Sequence, residues 1–183
     1  LHDALPILKV YGSFILSGRF NIWSNLRQFM DSETYFLKPD PDMTLTVPSS
    51  SEGVITVGGF DNNSNAIYPR TGRGFTNDNN VKPDLVAPAV NVFGPDVGRG
   101  VEGPGGFTRK TGTSVGTALV AGCCAQMLEW GVVDANEPYM KTAYIKNYLI
   151  RGAQRDRDVT YPSRQWGYGK IDVFNSFLIL TRT

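Results

Sequence analysis

The chain has 183 residues, of which 41% are hydrophobic and 19% charged, and its formal net charge is +1. This length and composition allow one globular domain of ordinary size. The near-neutral charge gives no reason to expect a nucleic-acid or membrane-surface partner, and no apolar run reaches the roughly 20 residues that a membrane span needs. The only cysteines, Cys123 and Cys124, are adjacent, which predicts neither a disulfide framework nor a metal site.

The N-terminal quarter of the chain differs from the remainder. Residues 1–7 lack the charged and apolar segments of a signal peptide, and we interpret them as a non-native leader. Residues 9–23 alternate apolar and polar side chains in parts, which predicts two short strands joined by a turn. We therefore expect residues 8–50 to form a β-rich insertion that precedes a core at residues 51–183.

Four short segments of the core predict strands. Residues 54–60 are apolar and bounded by glycines, as in a buried parallel strand. The other three strands are expected at residues 85–87, 90–93 and 107–108. Between them, residues 68–74 predict a loop that carries Arg70 and Arg73. This arginine pair is interpreted as an anion-binding patch or as two solvated side chains, and the second interpretation is the commoner one.

The longest uninterrupted pattern is a run of small and apolar residues, TGTSVGTALVAGCCAQMLEW, at residues 111–130. It has no charge between Ser114 and Met127, which predicts a helix that is buried on all sides. Glycine within a helix costs roughly 1 kcal/mol relative to alanine, so Gly116 and Gly122 indicate close packing against neighbouring backbone. Two further helices are expected at residues 139–150, stopped by Gly152, and 171–180.

Ser114 lies where this helix begins, and it has two interpretations. Thr113 or Ser114 could cap the helix by accepting a hydrogen bond from a first-turn N–H, which is the commonest role of such residues. Alternatively, Ser114 could be a nucleophile, because the unpaired N–H groups and the positive dipole end beside it would stabilise an oxyanion. The helix alone favours the cap.

The wider sequence favours the nucleophile, because four segments in order resemble the subtilisin-like serine proteases, or subtilases. They are GVITVGG at 53–59, VKPDLVAP at 81–88, Gly112-Thr113-Ser114 with the helix that follows, and GYGKID at 167–172. The chain departs from the family pattern at Ala89, at Val115-Gly116 and at Ala118-Leu119, and none of these changes the serine. Segments at 18–23 and 44–48 also resemble an insertion in the clostridial branch of subtilases, which includes spore-germination proteases.

The resemblance implies an α/β, three-layer subtilisin-like fold with a mostly parallel sheet, incomplete at its N-terminus. It implies a serine endopeptidase acting on peptide or protein substrates, with Ser114 as nucleophile and its backbone N–H as oxyanion donor. It also implies that Asp84 is structural and not the triad aspartate. The family's location suggests an extracellular, cell-envelope or spore-associated protein. Calcium is common in the family, yet no carboxylate cluster here marks a site, and no other cofactor is identifiable.

The triad histidine and aspartate motifs are absent from this chain, whose single histidine is His2. Because a subtilisin triad runs aspartate, histidine, serine, we expect a C-terminal part of a catalytic domain whose N-terminal part is missing, and negligible proteolysis by the part alone. The alternative is a non-catalytic subtilase-like scaffold, a pseudoprotease of spore germination. A ligand-binding module that uses Trp23, Trp130 and Trp166 is a weaker third interpretation.

Overall fold

The structure is a computed structural model that describes residues 10–18, 20–24, 29–96 and 106–182. The chain divides into two compact units, Leu1–Leu37 and Lys38–Thr183. In the first unit the described residues form turns and irregular backbone without any strand, so the two strands predicted within 9–23 are wrong for those residues. Apolar side chains such as Phe14 and Leu16 are exposed there. Alternation alone does not make a strand, because a strand also needs a paired neighbour. The proposed leader at 1–7 lies outside the described residues.

The second unit is built on a three-stranded sheet with the order β2-β1-β3. Its strands are β1 (Val57–Asp61), β2 (Ala66–Ile67) and β3 (Leu85–Pro88). Strands β1 and β3 pair in parallel, whereas β1 and β2 are antiparallel. This confirms the buried parallel strand predicted at 54–60 and its partner at 85–87. No strand occurs in the described part of residues 8–50, so the expected β-rich character of that segment is not found there.

A separate antiparallel ribbon follows the sheet and leads to the central helix. It consists of β4 (Val92–Pro95) and β5 (Phe107–Lys110). The predicted strand at 90–93 therefore begins two positions later than expected, and the predicted strand at 107–108 is confirmed and extended. Among the strands described, only β1 and β3 form a parallel ladder, so the expectation of a mostly parallel sheet holds for the β1–β3 pair.

The two faces of the sheet are covered by different parts of the chain. Leu85 and Ala87 point to one face and join the main hydrophobic core, to which three helices contribute. Val86 points to the other face, where it packs with Phe60 and Trp166 in a smaller cluster. All the helices described contribute to the first face, while the second is covered by the loop that carries Trp166. The described chain therefore shows one helical layer of the three-layer arrangement.

The helices are α1 (Thr113–Leu128), α2 (Thr142–Gly152) and α3 (Val173–Leu180), and a π-helical turn, Glu129–Val133, extends α1. The predicted helices at 139–150 and 171–180 are confirmed with shifted ends. Helix α3 begins where it does because the Asp172 side chain caps it, accepting a hydrogen bond of 2.8 Å from the Asn175 N–H.

Helix α1 is buried along one side only, which contradicts the prediction that it is buried all round. Gly116, Val120 and Met127 are buried, and Gly116 lies close to β3, where an added Cβ would be 3.5 Å from the Ala87 Cβ. Gly122 is exposed and has no atom near the Cβ position, so close packing explains Gly116 but not Gly122. The apolar composition of the segment predicted burial on every side, whereas the sheet provides packing neighbours on only one side of α1.

The helical segment Thr113–Val133 is 21 residues long and is apolar enough to cross a membrane by length and composition alone. The expectation that no segment reaches this length is therefore wrong, because the helix continues past Glu129 into the π-helical turn. The core helix of a globular protein meets the same criteria, and α1 packs on β1 and β3. The segment does not by itself indicate a membrane span.

Gly152 ends α2 where the helix meets α3, and its role is close packing in addition to termination. An added Cβ would lie 2.6 Å from the Cα of the fully buried Ser176. We expect Gly152→Ala to lower the free energy of unfolding by about 1–3 kcal/mol because the two backbones would have to separate. The matched control, Gly122→Ala, should raise it by about 0.5–1 kcal/mol, since that exposed helical position has room. Urea unfolding of both variants measures this difference, and equal effects would contradict it.

Candidate active site

Ser114 is the second residue of α1 and its side chain is exposed. Gly112 precedes the helix with a φ of +155°, a conformation that side chains disfavour, and its N–H donates a 2.8 Å hydrogen bond to the Ala89 carbonyl. The first turn carries no side-chain capping hydrogen bond. The interpretation of Thr113 or Ser114 as an N-cap is therefore wrong, because Gly112 occupies the cap position, one residue before Thr113 and two before Ser114.

The backbone around Ser114 is suited to stabilising negative charge. The first N–H groups of a helix have no partner within the helix, and the positive end of the helix dipole lies beside them. The Val115 N–H donates to the Gly112 carbonyl at 3.0 Å, whereas within the described residues no backbone acceptor is found for the Ser114 N–H. The first turn has no acidic side chain. An anion forming next to Ser114 would meet a free donor there.

The turn that presents Ser114 lies at the carboxyl ends of β1 and β3. An added Cβ at Gly59 would meet the Ala89 Cβ at 2.6 Å and the Thr113 side chain at 3.5 Å, so the strand and the turn approach closely here. The Thr111 hydroxyl fixes the other side by accepting a 2.9 Å hydrogen bond from the Asn91 N–H. Open α/β sheets place their sites at this edge, beyond the carboxyl ends of parallel strands.

Asp84 is held in a buried charge cluster at the opposite end of β3. Its side chain, 4% exposed, accepts hydrogen bonds from the Thr56 N–H at 2.6 Å and from the Lys82 ammonium at 2.7 Å, and Lys146 lies 3.2 Å away. Burial lowers the pKa of Lys82, and the Asp84 carboxylate opposes that change. Asp84 precedes the first residue of β3, while Ser114 lies near its last. The geometry therefore gives Asp84 a structural role.

Sequence reasoning did not anticipate Lys146 in this cluster. Its ammonium reaches the Glu52 carbonyl at 2.8 Å as well as Asp84, which ties α2 to the segment that precedes β1. Nothing in the local sequence around Lys146 marks it, because the pairing exists only once α2 has packed against the sheet.

The described residues bring no general base to Ser114. His2, the single histidine of the sequence, lies outside them. Cys123 and Cys124 do not offer an alternative nucleophile, because burial raises the pKa of both thiols and so disfavours the reactive thiolate. No group of three or more acidic, cysteine or histidine side chains suited to a metal ion occurs in the described part of the chain.

Ser114 is thus an exposed serine at a helix N-terminus, entered through a glycine at the edge of a parallel pair of strands, which is an arrangement that can present a nucleophile. The model of the subtilase family matches residues 33–169. The chain belongs to the subtilase family of serine proteases, and its fold is α/β and subtilisin-like.

Individual relatives agree with this family. Over 157 aligned residues the chain is 27% identical to the serine protease AprX of Bacillus subtilis (strain 168), covering 74% of this chain and 32% of that protein. It is similar to the CspB protease of Clostridium perfringens, with 37% identity and a TM-score of 0.73 over 82% of this chain and 32% of that one. Fervidolysin from Fervidobacterium pennivorans, at 21% identity and a TM-score of 0.57 over 72% of this chain and 20% of that one, shares the fold. The chain thus spans about a third of the length of AprX and CspB.

Proposed function

We propose that the polypeptide to which this chain belongs is a serine endopeptidase in which Ser114 is the nucleophile. The observation that carries the proposal is the position of Ser114: exposed, not engaged in capping, and next to unpaired N–H groups at the start of a 16-residue helix. A structural cap would explain none of these features. The family match at residues 33–169 includes the whole of this turn.

In the proposed reaction the Ser114 Oγ attacks the carbonyl carbon of the scissile peptide bond. The hydroxyl proton passes to a general base and then to the leaving amine, and the acyl-enzyme that remains is hydrolysed by water. The Ser114 backbone N–H donates to the developing oxyanion, and Gly112 fixes the position of the serine relative to it. The base and its orienting carboxylate would come from sequence outside this chain, since this chain covers only 32% of AprX and 32% of CspB.

The composition of the exposed side of α1 favours a further segment of the same domain as its packing partner. Small and apolar residues occupy that side, including Ala118, Leu119, Ala125 and Leu128. A helix with apolar residues all round is normally covered all round, because exposed apolar area costs free energy in water. We infer that the N-terminal part of the catalytic domain packs on this side, and that the chain alone is poorly soluble.

A second candidate is a non-catalytic scaffold of the germination type, and it is favoured by one observation. The sequence has a single histidine, at position 2, and no histidine motif of the family. If the longer polypeptide also lacks that motif, Ser114 has no base and the protein would act by binding alone. An extracellular, cell-envelope or spore-associated location remains part of this proposal for both candidates.

A fluorophosphonate probe, which reacts only with activated serines, separates the two candidates. We expect the longer polypeptide encoded by the same gene to be labelled on the tryptic peptide that contains Ser114, and the 183-residue chain alone to remain unlabelled. The described residues bring no base to Ser114, so we expect its hydroxyl to remain a weak nucleophile in this chain. Labelling of neither polypeptide would favour the scaffold, and labelling at a different serine would contradict the assignment of Ser114.

A further inference from the structure

A cleft with a volume of about 400 Å³ lies beside the loop that follows β2. It is lined by two prolines, two threonines, a glycine and two arginines, namely Pro41, Pro69, Thr44, Thr71, Gly72, Arg70 and Arg73. Such a volume falls within the range of sites that hold a small ligand or one side chain. The two arginines are the only charged residues among its lining.

The walls of the cleft are fixed by backbone hydrogen bonds. The Thr44 N–H donates to the Arg73 carbonyl and the Arg73 N–H donates to the Thr44 hydroxyl, both at 2.9 Å. The buried Thr71 hydroxyl accepts a 2.9 Å hydrogen bond from the Gly59 N–H, which attaches the loop to β1. The arginines therefore project from a held loop, and their fork-shaped donors lose less freedom on binding than those on a free loop would.

The two arginines of the cleft form no ion pair with a carboxylate of the described residues. In the described part of the chain no ion pair or side-chain hydrogen bond engages the guanidinium group of Arg70 or Arg73. The nearby Asp42 carboxylate already faces Arg164 at 3.7 Å. Two guanidinium groups in the lining of one cleft, neither of them ion-paired, favour a bound carboxylate, which a guanidinium group can hold with two parallel hydrogen bonds.

The loop that carries the two arginines starts beside the proposed nucleophile turn. A Cβ placed at Gly59 would lie 3.5 Å from both the Tyr68 Cβ and the Thr113 side chain, so the start of this loop and the residue before Ser114 contact the same point. Arg70 follows Tyr68 by two positions. From there the loop runs towards the amino end of β3, where an added Cβ at Gly74, next to Arg73, would meet the Lys82 backbone. Strand β3 has 4 residues. An extended peptide advances about 3.3–3.6 Å per residue, so a substrate cleaved at Ser114 would need a similar number of residues to reach the arginines.

We propose that Arg70 and Arg73 form a subsite for a Glu or Asp side chain of the peptide substrate, a few residues from the bond that Ser114 attacks. The inference rests on the proposed function and names its substrate class: peptides with an acidic residue near the cleavage point.

Binding to the longer polypeptide in a Ser114→Ala background tests the subsite without turnover. Two fluorescent peptides that differ only in one Glu or Gln are compared by anisotropy. We expect the Glu peptide to bind about three- to tenfold more tightly, and Arg70→Gln or Arg73→Gln to remove that preference. The exposed Arg157 is the matched control, and Arg157→Gln should keep the preference. Arg70→Lys, which retains the charge, should keep part of it.

Three results would overturn the subsite. The first is equal affinity for the Glu and Gln peptides, and the second is a loss of the Glu preference in Arg157→Gln as large as in the cleft variants. The third is saturation by inorganic phosphate at a lower concentration than by the Glu peptide, which would assign the cleft to a phosphoryl group. Binding is read without hydrolysis, so a protein that binds the Glu peptide selectively but proves inactive would contradict the proposed function and leave the subsite standing. A protein that hydrolyses peptides but does not prefer the Glu peptide would contradict the subsite and leave the proposed function standing.

Discussion

Replacing Ser114 by alanine should reduce kcat of the longer polypeptide toward a peptide substrate by roughly 10⁶-fold, the magnitude of losing the nucleophile in subtilisin. The loss is large because the substitution removes the attacking oxygen, so no acyl-enzyme forms. Initial rates of hydrolysis of a quenched fluorescent peptide measure it. The backbone N–H of residue 114 remains, so residual catalysis would come from the oxyanion donor and binding.

The matched control for this variant is Ser51→Ala. Ser51 is exposed and lies in a turn before β1, distant in sequence from the nucleophile turn. It should retain the kcat/KM of the unsubstituted protein. Both variants should unfold at the same urea concentration, because the Ser114 side chain makes no capping hydrogen bond. A Ser114→Ala variant that kept its activity would remove the proposed role, and one that unfolded readily would restore the structural interpretation of this serine.

Replacing Asp84 by alanine should lower the free energy of unfolding by about 3–5 kcal/mol, the usual cost of removing one partner from a buried ion pair. Asp84 is 3% exposed and compensates two ammonium groups, Lys82 at 2.7 Å and Lys146 at 3.2 Å. Without it the 2%-exposed Lys82 keeps an unpaired charge, and the Thr56 N–H loses its 2.6 Å acceptor. Typical domain stabilities are about 5–15 kcal/mol, so a large part of the native population would be lost.

Two further variants separate the charge of Asp84 from its hydrogen bonds. Asp84→Asn keeps an oxygen that can accept from the Thr56 N–H but leaves the lysines uncompensated, so its effect should fall between those of Asp84→Ala and the unsubstituted chain. Asp78→Ala changes an exposed turn carboxylate and should shift the free energy of unfolding by less than about 0.5 kcal/mol. Urea unfolding measures all three. If Asp84→Ala were as mild as Asp78→Ala, the cluster would not tie the segment before β1 to β3 and α2.

The strands and helices of the second unit could largely be predicted because their signals are local. The apolar run at 54–60 and the helical spacing at 139–150 each report a period that the backbone geometry imposes. The failures have a different origin. The strands expected within 9–23 needed partners that the described first unit does not provide, and α1 was predicted as buried all round from its composition although the sheet covers one of its sides.

In the candidate site, too, local features could be predicted from the sequence, and features that depend on the folded structure could not. Residues Gly112-Thr113-Ser114 could be identified from their order and from the helix that follows, and their resemblance to a family is confirmed by the match at residues 33–169. The choice between cap and nucleophile could not be made from the helix sequence, since serine serves both roles. The structure decided that Ser114 caps nothing, because the helix is entered through Gly112 and no side chain accepts from its first turn.

The sequence by itself determined the family, the nucleophile candidate, and the location of most helices and strands through their hydrophobic periodicity. Each of these depends on neighbouring residues or on a short ordered motif. Only the tertiary structure decided which residues from distant positions meet. It brought Lys82, Asp84 and Lys146 into one buried cluster, and it placed Arg70 and Arg73 in the lining of one cleft. Through-space distances between charges and the burial of a helix side depend on how elements pack together, and no local pattern records them.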